Sequence, residues 1–171
     1  SDLSRLRDFL RRDWARADSQ LGSVPSDTMI KLGAVLSELA DILDGDLAAS
    51  YLPLVGDLRK VKRFVNAILL MQIDKTDFGR SDFKERDLIN LMLLNLHYPG
   101  LFRRIYAEET EGRNGSFSLK REYGQKKFVN TEAFMMLKKE LPASACFLLE
   151  QLFDAIVLDI DDKDRLEETD L

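Results

Sequence analysis

Residues 56–71 read GDLRKVKRFVNAILLM, and their apolar side chains recur at intervals of three and four, the spacing of one helix face. Asp57, directly before the first apolar residue, is of a type that caps helix N-termini. The stretch therefore predicts an amphipathic helix with one face in the core. The stripe predicted to be buried contains Leu58, Val61, Val65, Ile68 and Leu69, with Phe64 beside it.

Helical spacing, interrupted by glycine or proline, continues on both sides of this stretch. Residues 111–130 differ, because three glycines lie there among mainly polar and basic side chains, which predicts an exposed loop or small hairpin. The sequence thus predicts an all-α fold, an irregular multi-helix bundle of about six to eight helices. The other helices are predicted from Leu3 to Trp14, from Ser26 to Gly45, over 47–54 with a break at Pro53, from Ser81 or Asp82 to His97, from Pro99 onward, over 134–141 and over 148–156.

The length of the chain, 171 residues, is sufficient for one domain with its own core. We expect a single helical domain over 1–158, with 1–55 as a candidate N-terminal sub-bundle, followed by an acidic tail or linker over 159–171. No apolar run approaches the roughly 20 residues of a membrane span. Because the chain begins at Ser1 without a methionine and carries no secretory signal, we expect it to be part of a longer protein.

The sequence lacks the usual motifs of catalysis: it contains no G-x-x-x-x-G-K-[ST], no G-x-G-x-x-G and no G-x-S-x-G. With one histidine and one cysteine, it cannot assemble the common zinc sites or nucleophile and base pairs. His97 ends an apolar helix, where the helix dipole favours it, and Cys146 is expected to be a buried thiol in a reducing compartment. The acidic run over 159–164 departs from the calcium-loop pattern at Lys163. We therefore expect no catalytic residue, metal site or cofactor within this chain.

Cations cluster at the beginning of the helix predicted from Asp57, although a helix N-terminus carries partial positive charge and favours anions. Arg59, Lys62, Arg63 and Asn66 share the face opposite the apolar stripe, and Lys60 lies beside them. Free amides together with convergent cations are what phosphate or carboxylate binding requires. The alternative is a solvated basic face that pairs with some of the acidic residues, and composition alone favours this alternative.

Two stretches resemble a known family. Leu54 to Asn66 contains the pattern R-x-V-K-R-F-x-N and is similar to a signature of KAP-family P-loop NTPases, located in the helical part after their nucleotide-binding core. Asp87 to Tyr106, with Leu-Leu-Asn-Leu-His-Tyr-Pro-Gly-Leu-Phe in its middle, resembles the leucine-rich helix and Tyr-Pro break downstream in that family. Together they cover less than a third of the chain, and the first stretch is the more specific one.

The resemblance implies a helical lid or regulatory domain from a bacterial intracellular ATPase related to the AAA+ and STAND signalling or defence NTPases. It implies that Arg59, with Arg63 one turn on, senses nucleotide phosphates, and that Lys60, Lys62 and Asn66 support them. ATP and magnesium are expected only in the parent protein, where the partner is the P-loop core of the same polypeptide. A homo-oligomer and a cytoplasmic location are also expected, with membrane association only through other parts of the parent.

A second hypothesis is an autonomous helical interaction module whose basic face binds an acidic protein or nucleic acid. Three cations in the polar segment, Arg121, Lys126 and Lys127, could extend the basic surface, with Tyr123 and Phe128 between them for stacking on a base. The net charge of −5 argues against nucleic acid as the partner.

Overall fold

The computed structural model describes residues 2–16, 24, 26–70, 84–110, 121–122, 125–126 and 131–152. These residues form an all-α fold with eight α-helices, as predicted. The helices are α1 (Asp2–Arg11), α2 (Ser26–Leu43), α3 (Ala48–Val55), α4 (Leu58–Leu70), α5 (Glu85–His97), α6 (Pro99–Thr110), α7 (Thr131–Glu140) and α8 (residues 143–152), and a 3-10 turn spans Asp13–Ala15. None of the described helices is long and apolar enough to cross a membrane.

Contacts divide the chain into two compact units, Ser1–His97 and Tyr98–Leu171. The division falls at the Tyr98-Pro99-Gly100 sequence, where α5 ends and Pro99 starts α6. The predicted single domain over 1–158 stays a prediction, and the predicted acidic tail over 159–171 lies outside the described residues.

Three helices, α2, α4 and α5, contact one another and form the core of the first unit, with α3 packed between α2 and α4. The apolar face of α2 is buried, as helical spacing predicts. In α5 every residue from Asp87 to Leu94 is buried, so this helix is central rather than amphipathic. Helical spacing in the sequence predicts that Leu88, Ile89, Met92 and Leu96 of α5 face inward. The first three are buried and Leu96 is half-buried, and this spacing does not predict the burial of the other faces.

Helix α1 packs against α2 through both apolar and charged contacts. Leu6 and Leu10 are buried, and the ring of Trp14 packs against α2 beside Gly33. Arg11 donates to Asp41 at 3.0 Å and to Asp44 at 2.7 Å. These ion pairs are largely exposed, so the apolar contacts contribute most of the stability of this packing.

The second unit contains α6, α7 and α8, with buried apolar residues on α6 and α8. Arg121–Glu122 pairs antiparallel with Gln125–Lys126, so the predicted polar segment includes a small hairpin, one of the two forms expected. Cys146 is half-buried rather than fully buried, and its thiol donates to the carbonyl oxygen of Lys138 at 3.1 Å. This hydrogen bond joins α8 to the last turn of α7.

Candidate anion-binding site

The start of α4 is fixed by the side chain of Asp57. The amide of Lys60 donates to Asp57 Oδ1 at 2.8 Å, and the amide of Val61 donates to the Asp57 carbonyl oxygen at 3.1 Å. This is the predicted N-cap. Because the carboxylate takes up an amide at the helix N-terminus, it stands where a bound anion would otherwise interact with the backbone.

The predicted buried stripe of α4 is correct at four of its six residues, because Leu69 is half-buried and Leu58 is exposed. Val61, Phe64 and Ile68 are fully buried and Val65 nearly so, whereas Leu58 is 44% exposed. The prediction for Leu58 is therefore wrong. The physical reason is that Leu58 is the first residue of the helix, where the chain has only just left the Gly56-Asp57 turn.

The cations of α4 divide into two groups. Lys60 is half-buried, and its ammonium group donates to the Pro53 carbonyl oxygen at 3.1 Å and lies 3.8 Å from Asp57. Lys60 is thus engaged at the junction of α3 and α4, and only Arg59, Lys62, Arg63 and Asn66 remain together. We call these four residues the basic face of α4.

All four side chains of the basic face are exposed. Their positions fall within about 100° of arc, and Arg59 and Arg63 lie one helical turn apart, about 6 Å along the axis. Within the described ranges, no carboxylate forms a salt bridge with Arg59, Lys62 or Arg63. By contrast Arg11, Arg12 and Arg86 each bind an acidic side chain. The structure therefore gathers three cations on one open helix face where a ligand can reach them.

An open pocket of about 350 Å³ lies between α1, the 3-10 turn and the start of α4, and no pattern in the sequence predicts it. Its described lining contains three apolar side chains and two side chains of opposite charge. The described residues that line it are Arg5, Leu6, Phe9, Asp13 and Leu58. A local pattern cannot reveal such a pocket, because its walls come from α1, the 3-10 turn and α4.

A polar contact lies buried in the first unit, between α3 and α5. The Tyr51 hydroxyl donates to Asn90 Oδ1 at 2.6 Å, and both residues are fully buried. Burial raises the pKa of the Tyr51 hydroxyl, against the opposing effect of this hydrogen bond. Asn90 Nδ2 has no hydrogen-bond partner among the described residues. The sequence signal that could have indicated this contact is an asparagine inside the apolar run of α5.

Among the remaining candidates, His97 makes a contact between two helices. His97 ends α5, and its Nε2 lies 3.1 Å from the Leu54 carbonyl oxygen, which ties α5 to α3. Among the residues that the structure describes, no group of three or more His, Cys, Asp or Glu side chains could hold a metal ion. In the hairpin, Arg121 lies directly opposite Lys126, while Tyr123, Lys127 and Phe128 fall outside the described residues.

The site therefore consists of the exposed basic face of α4. The N-terminus of this helix is already capped by Asp57. On this face the groups available to an anion are guanidinium and ammonium groups rather than backbone amides. The resemblance to KAP-family NTPases stays a prediction. In comparisons with protein-family models, curated proteins and solved structures, none matched this chain.

Proposed function

We propose that this chain is the helical lid or regulatory domain of a KAP-like P-loop ATPase, and that the basic face of α4 senses the phosphates of the bound nucleotide. The observation that carries the proposal is that Arg59 and Arg63 are exposed, one turn apart and unpaired within the described part of the chain. Guanidinium groups bind phosphate through two parallel hydrogen bonds, which suits them to this role.

In this proposal the chemistry belongs to another part of the polypeptide, which supplies the phosphate-binding loop, ATP and magnesium. Arg59 gains a charge-assisted contact when the triphosphate is present and loses it after hydrolysis. Arg63 and Lys62 add positive charge along the same face. A contact made in only one nucleotide state shifts the population of lid positions, and this couples hydrolysis to other domains or subunits.

The contacts of the charged side chains favour some residues over others for the proposed role. Lys60 is held by Pro53 and Asp57, so it positions the start of α4 rather than binding phosphate. Asp57 places a negative charge at the helix N-terminus, which weakens anion binding by the backbone amides. Arg59 and Arg63 therefore remain the principal candidates.

The test in the full-length protein is the ATPase rate of Arg59→Ala. Loss of one charge-assisted hydrogen bond is expected to lower the rate by about 10- to 100-fold. The matched control is Arg103→Ala, which removes an exposed arginine from α6 outside the basic face. Unchanged turnover in Arg59→Ala, with normal turnover in the control, would refute the proposal.

The isolated chain allows a simpler measurement, the binding of inorganic tripolyphosphate followed by NMR. Chemical-shift changes are expected at Arg59 and Arg63, and the Arg59→Ala, Arg63→Ala double variant is expected to lose most of the affinity. Arg103→Ala should bind like the parent chain. Binding that survives in the double variant would locate the anion site elsewhere.

The second candidate function, a module that binds an acidic protein, is favoured by the extent of the exposed face. The face continues from Arg59 to Lys62 and Asn66, which is more surface than a single phosphate requires. Nucleic acid is the less favoured partner because the net charge is −5. A salt-dependent gel shift with single-stranded DNA, if observed with the isolated chain, would reverse that preference.

A further inference from the structure

The side of α1 that borders the pocket carries an ordered arrangement of three residues. Arg5 and Asp13 lie four positions before and four positions after Phe9, and all three line the pocket. Residues four apart share one side of a helix, and the helical rise puts each charge about 6 Å along the axis from Phe9. An aromatic side chain therefore lies midway between two opposite charges. We call these three residues the α1 triplet.

Both charges of the α1 triplet are open to another molecule. Arg5 and Asp13 are exposed, and neither forms a salt bridge within the described part of the chain. The neighbouring cations differ, because Arg7, Arg11 and Arg12 each bind a carboxylate. The charges that remain unpaired on this side of α1 thus have opposite signs and stand at opposite ends of the pocket.

Apolar surface accompanies the two charges. Leu6 is buried in the pocket wall, Phe9 is half-buried, and Leu58 of α4 is 44% exposed. The pocket volume of about 350 Å³ is at the low end of the range for ligand pockets. A space of this size suits an aromatic side chain of a partner better than a whole cofactor.

The order of the charges selects the partner. A uniformly acidic or uniformly basic segment would meet a like charge at one end of the α1 triplet, which disfavours its binding. A second α1 in antiparallel orientation meets an opposite charge at both ends. In a twofold dimer each contact is repeated with the chains exchanged, so Arg5 lies opposite Asp13 of the other copy and Asp13 lies opposite its Arg5. The two Phe9 side chains then meet at the axis.

We propose that the α1 triplet and the pocket form the interface of a twofold dimer of this chain. Phe9 of each copy packs into the pocket of the other, beside Leu58, and two Arg5–Asp13 ion pairs flank it. Packed helices lie about 8–10 Å apart, a distance that arginine and aspartate side chains span together. One helix face is smaller than a standard interface, so the dimer is weak. The inference is separate from the proposed function, because no residue of the basic face takes part.

The first experiment measures self-association of the 171-residue chain by sedimentation equilibrium, at concentrations on the order of 10 μM to 1 mM. The parent chain is expected to show a monomer–dimer equilibrium. Arg5→Asp and Asp13→Arg each place like charges opposite one another twice, and each should weaken dimerisation about tenfold. The matched control is Arg103→Asp, which makes the same change of charge at an exposed position of α6. A parent chain that stays monomeric, or a control that loses as much as the variants, overturns the proposal.

The two single variants together give a sharper test. When Arg5→Asp is mixed with Asp13→Arg, opposite charges face each other again at both ends of the interface. The mixture should therefore form a heterodimer, although neither variant associates well with itself. The double variant Arg5→Asp, Asp13→Arg should recover the homodimer for the same reason. Such recovery would also show that the single variants are folded. Absence of association in both the mixture and the double variant overturns the proposal.

The apolar part of the interface is tested at Phe9. Phe9→Ala is expected to weaken dimerisation about tenfold, as loss of a central aromatic contact does in other interfaces. The matched control is Ile30→Ala, which removes an apolar side chain that is 71% exposed on α2 and does not line the pocket. This control should dimerise like the parent chain. Equal losses in the two variants would overturn the proposal, since they would show nonspecific apolar association.

Discussion

Gly56 joins α3 to α4, and its lack of a side chain is required there. A Cβ at this position would overlap the carbonyl oxygen of Leu52, which belongs to the last turn of α3. Such overlap with backbone cannot be relieved by a rotamer change. Gly56 thus allows the short connection that places the Asp57 cap and the basic face of α4.

We expect Gly56→Ala to lower the free energy of unfolding by about 1–3 kcal/mol because the connection must shift. The matched control is Gly100→Ala in the first turn of α6, where nothing lies within 4 Å of the added Cβ. There alanine should be neutral or stabilise the protein by up to about 1 kcal/mol. Urea unfolding of both variants checks this, and equal effects would contradict the importance of the Leu52 contact.

Tyr51 gives the stability of the protein a dependence on alkaline pH. Because burial raises the pKa of its hydroxyl above the ordinary value of 10.0, the folded state keeps a proton that the unfolded state loses first. The stabilisation is therefore fully present below about pH 10 and declines as the pH rises through the pKa of the folded protein.

Tyr51→Phe should lower the free energy of unfolding by about 1–3 kcal/mol at neutral pH, since it leaves Asn90 Oδ1 buried without its donor. The variant should also lose part of the alkaline dependence. Unfolding by urea at about pH 8 and about pH 11 measures both effects. The other tyrosines and the lysines titrate in both proteins, so their contribution cancels in the comparison. Parallel pH profiles would show that Tyr51 does not titrate with folding.

At the scale of the helix, α4 combines a favourable cap with an unfavourable distribution of charge. Asp57 interacts well with the N-terminal dipole, whereas Arg59 in the first turn opposes it at a cost of a few tenths of a kcal/mol, and Lys62 and Arg63 in the second turn oppose it less. The buried residues on the other face of α4 supply the stability that tolerates these cations. The basic face is thus maintained by packing rather than by helix propensity.

Asp57→Asn separates the two roles of the cap. Asparagine caps a helix nearly as well as aspartate, so the loss of stability should stay within about 1 kcal/mol. Removal of the negative charge should raise the affinity for tripolyphosphate by about two- to fivefold and release Lys60 toward the ligand. Asp57→Ala, which removes cap and charge together, is the control and should lose about 1 kcal/mol more. Unchanged affinity in both variants would place the anion away from the start of α4.

Features that depend on a few neighbouring residues could be predicted from the sequence. The Asp57 cap, the buried positions from Val61 to Ile68 and the shared face of Arg59 and Arg63 follow from local spacing, and the structure agrees with all of them. Pro53 shows the limit of local rules. It was predicted to break α3 but lies inside it. Because Pro53 has no N–H, the carbonyl oxygen of Ala49 loses its helical hydrogen bond, and since Ala49 is exposed this oxygen can bind water instead.

Features that depend on residues far apart in the chain were not predictable. Tyr51 and Asn90 are 39 positions apart, and their contact requires the packing of α3 near α5. The pocket needs Phe9 and Leu58 to meet across an even longer separation. Local periodicity also did not predict the full burial of α5. A helix that is buried on all sides has no polar stripe to distinguish an exposed face from a buried one.

For the whole molecule, the distribution of charge matters more than its total. Residues 159–170 carry seven acidic and two basic side chains, which account for the net charge of −5, so residues 1–158 are balanced overall. The acidic composition of the full chain therefore understates the basic character available on α4. Anion binding by an exposed face of this kind should weaken steeply with added salt.

The burial of α5 has a consequence for the opening motions of the first unit. Because both flanking helices, α2 and α4, contact it and Asp87 to Leu94 are all covered, its amides can meet solvent only when the core separates. We expect these amides to exchange with deuterium more slowly than any others in the first unit, at a rate set by global unfolding. Exchange as fast as that at the start of α4, followed by mass spectrometry, would contradict a central position for α5.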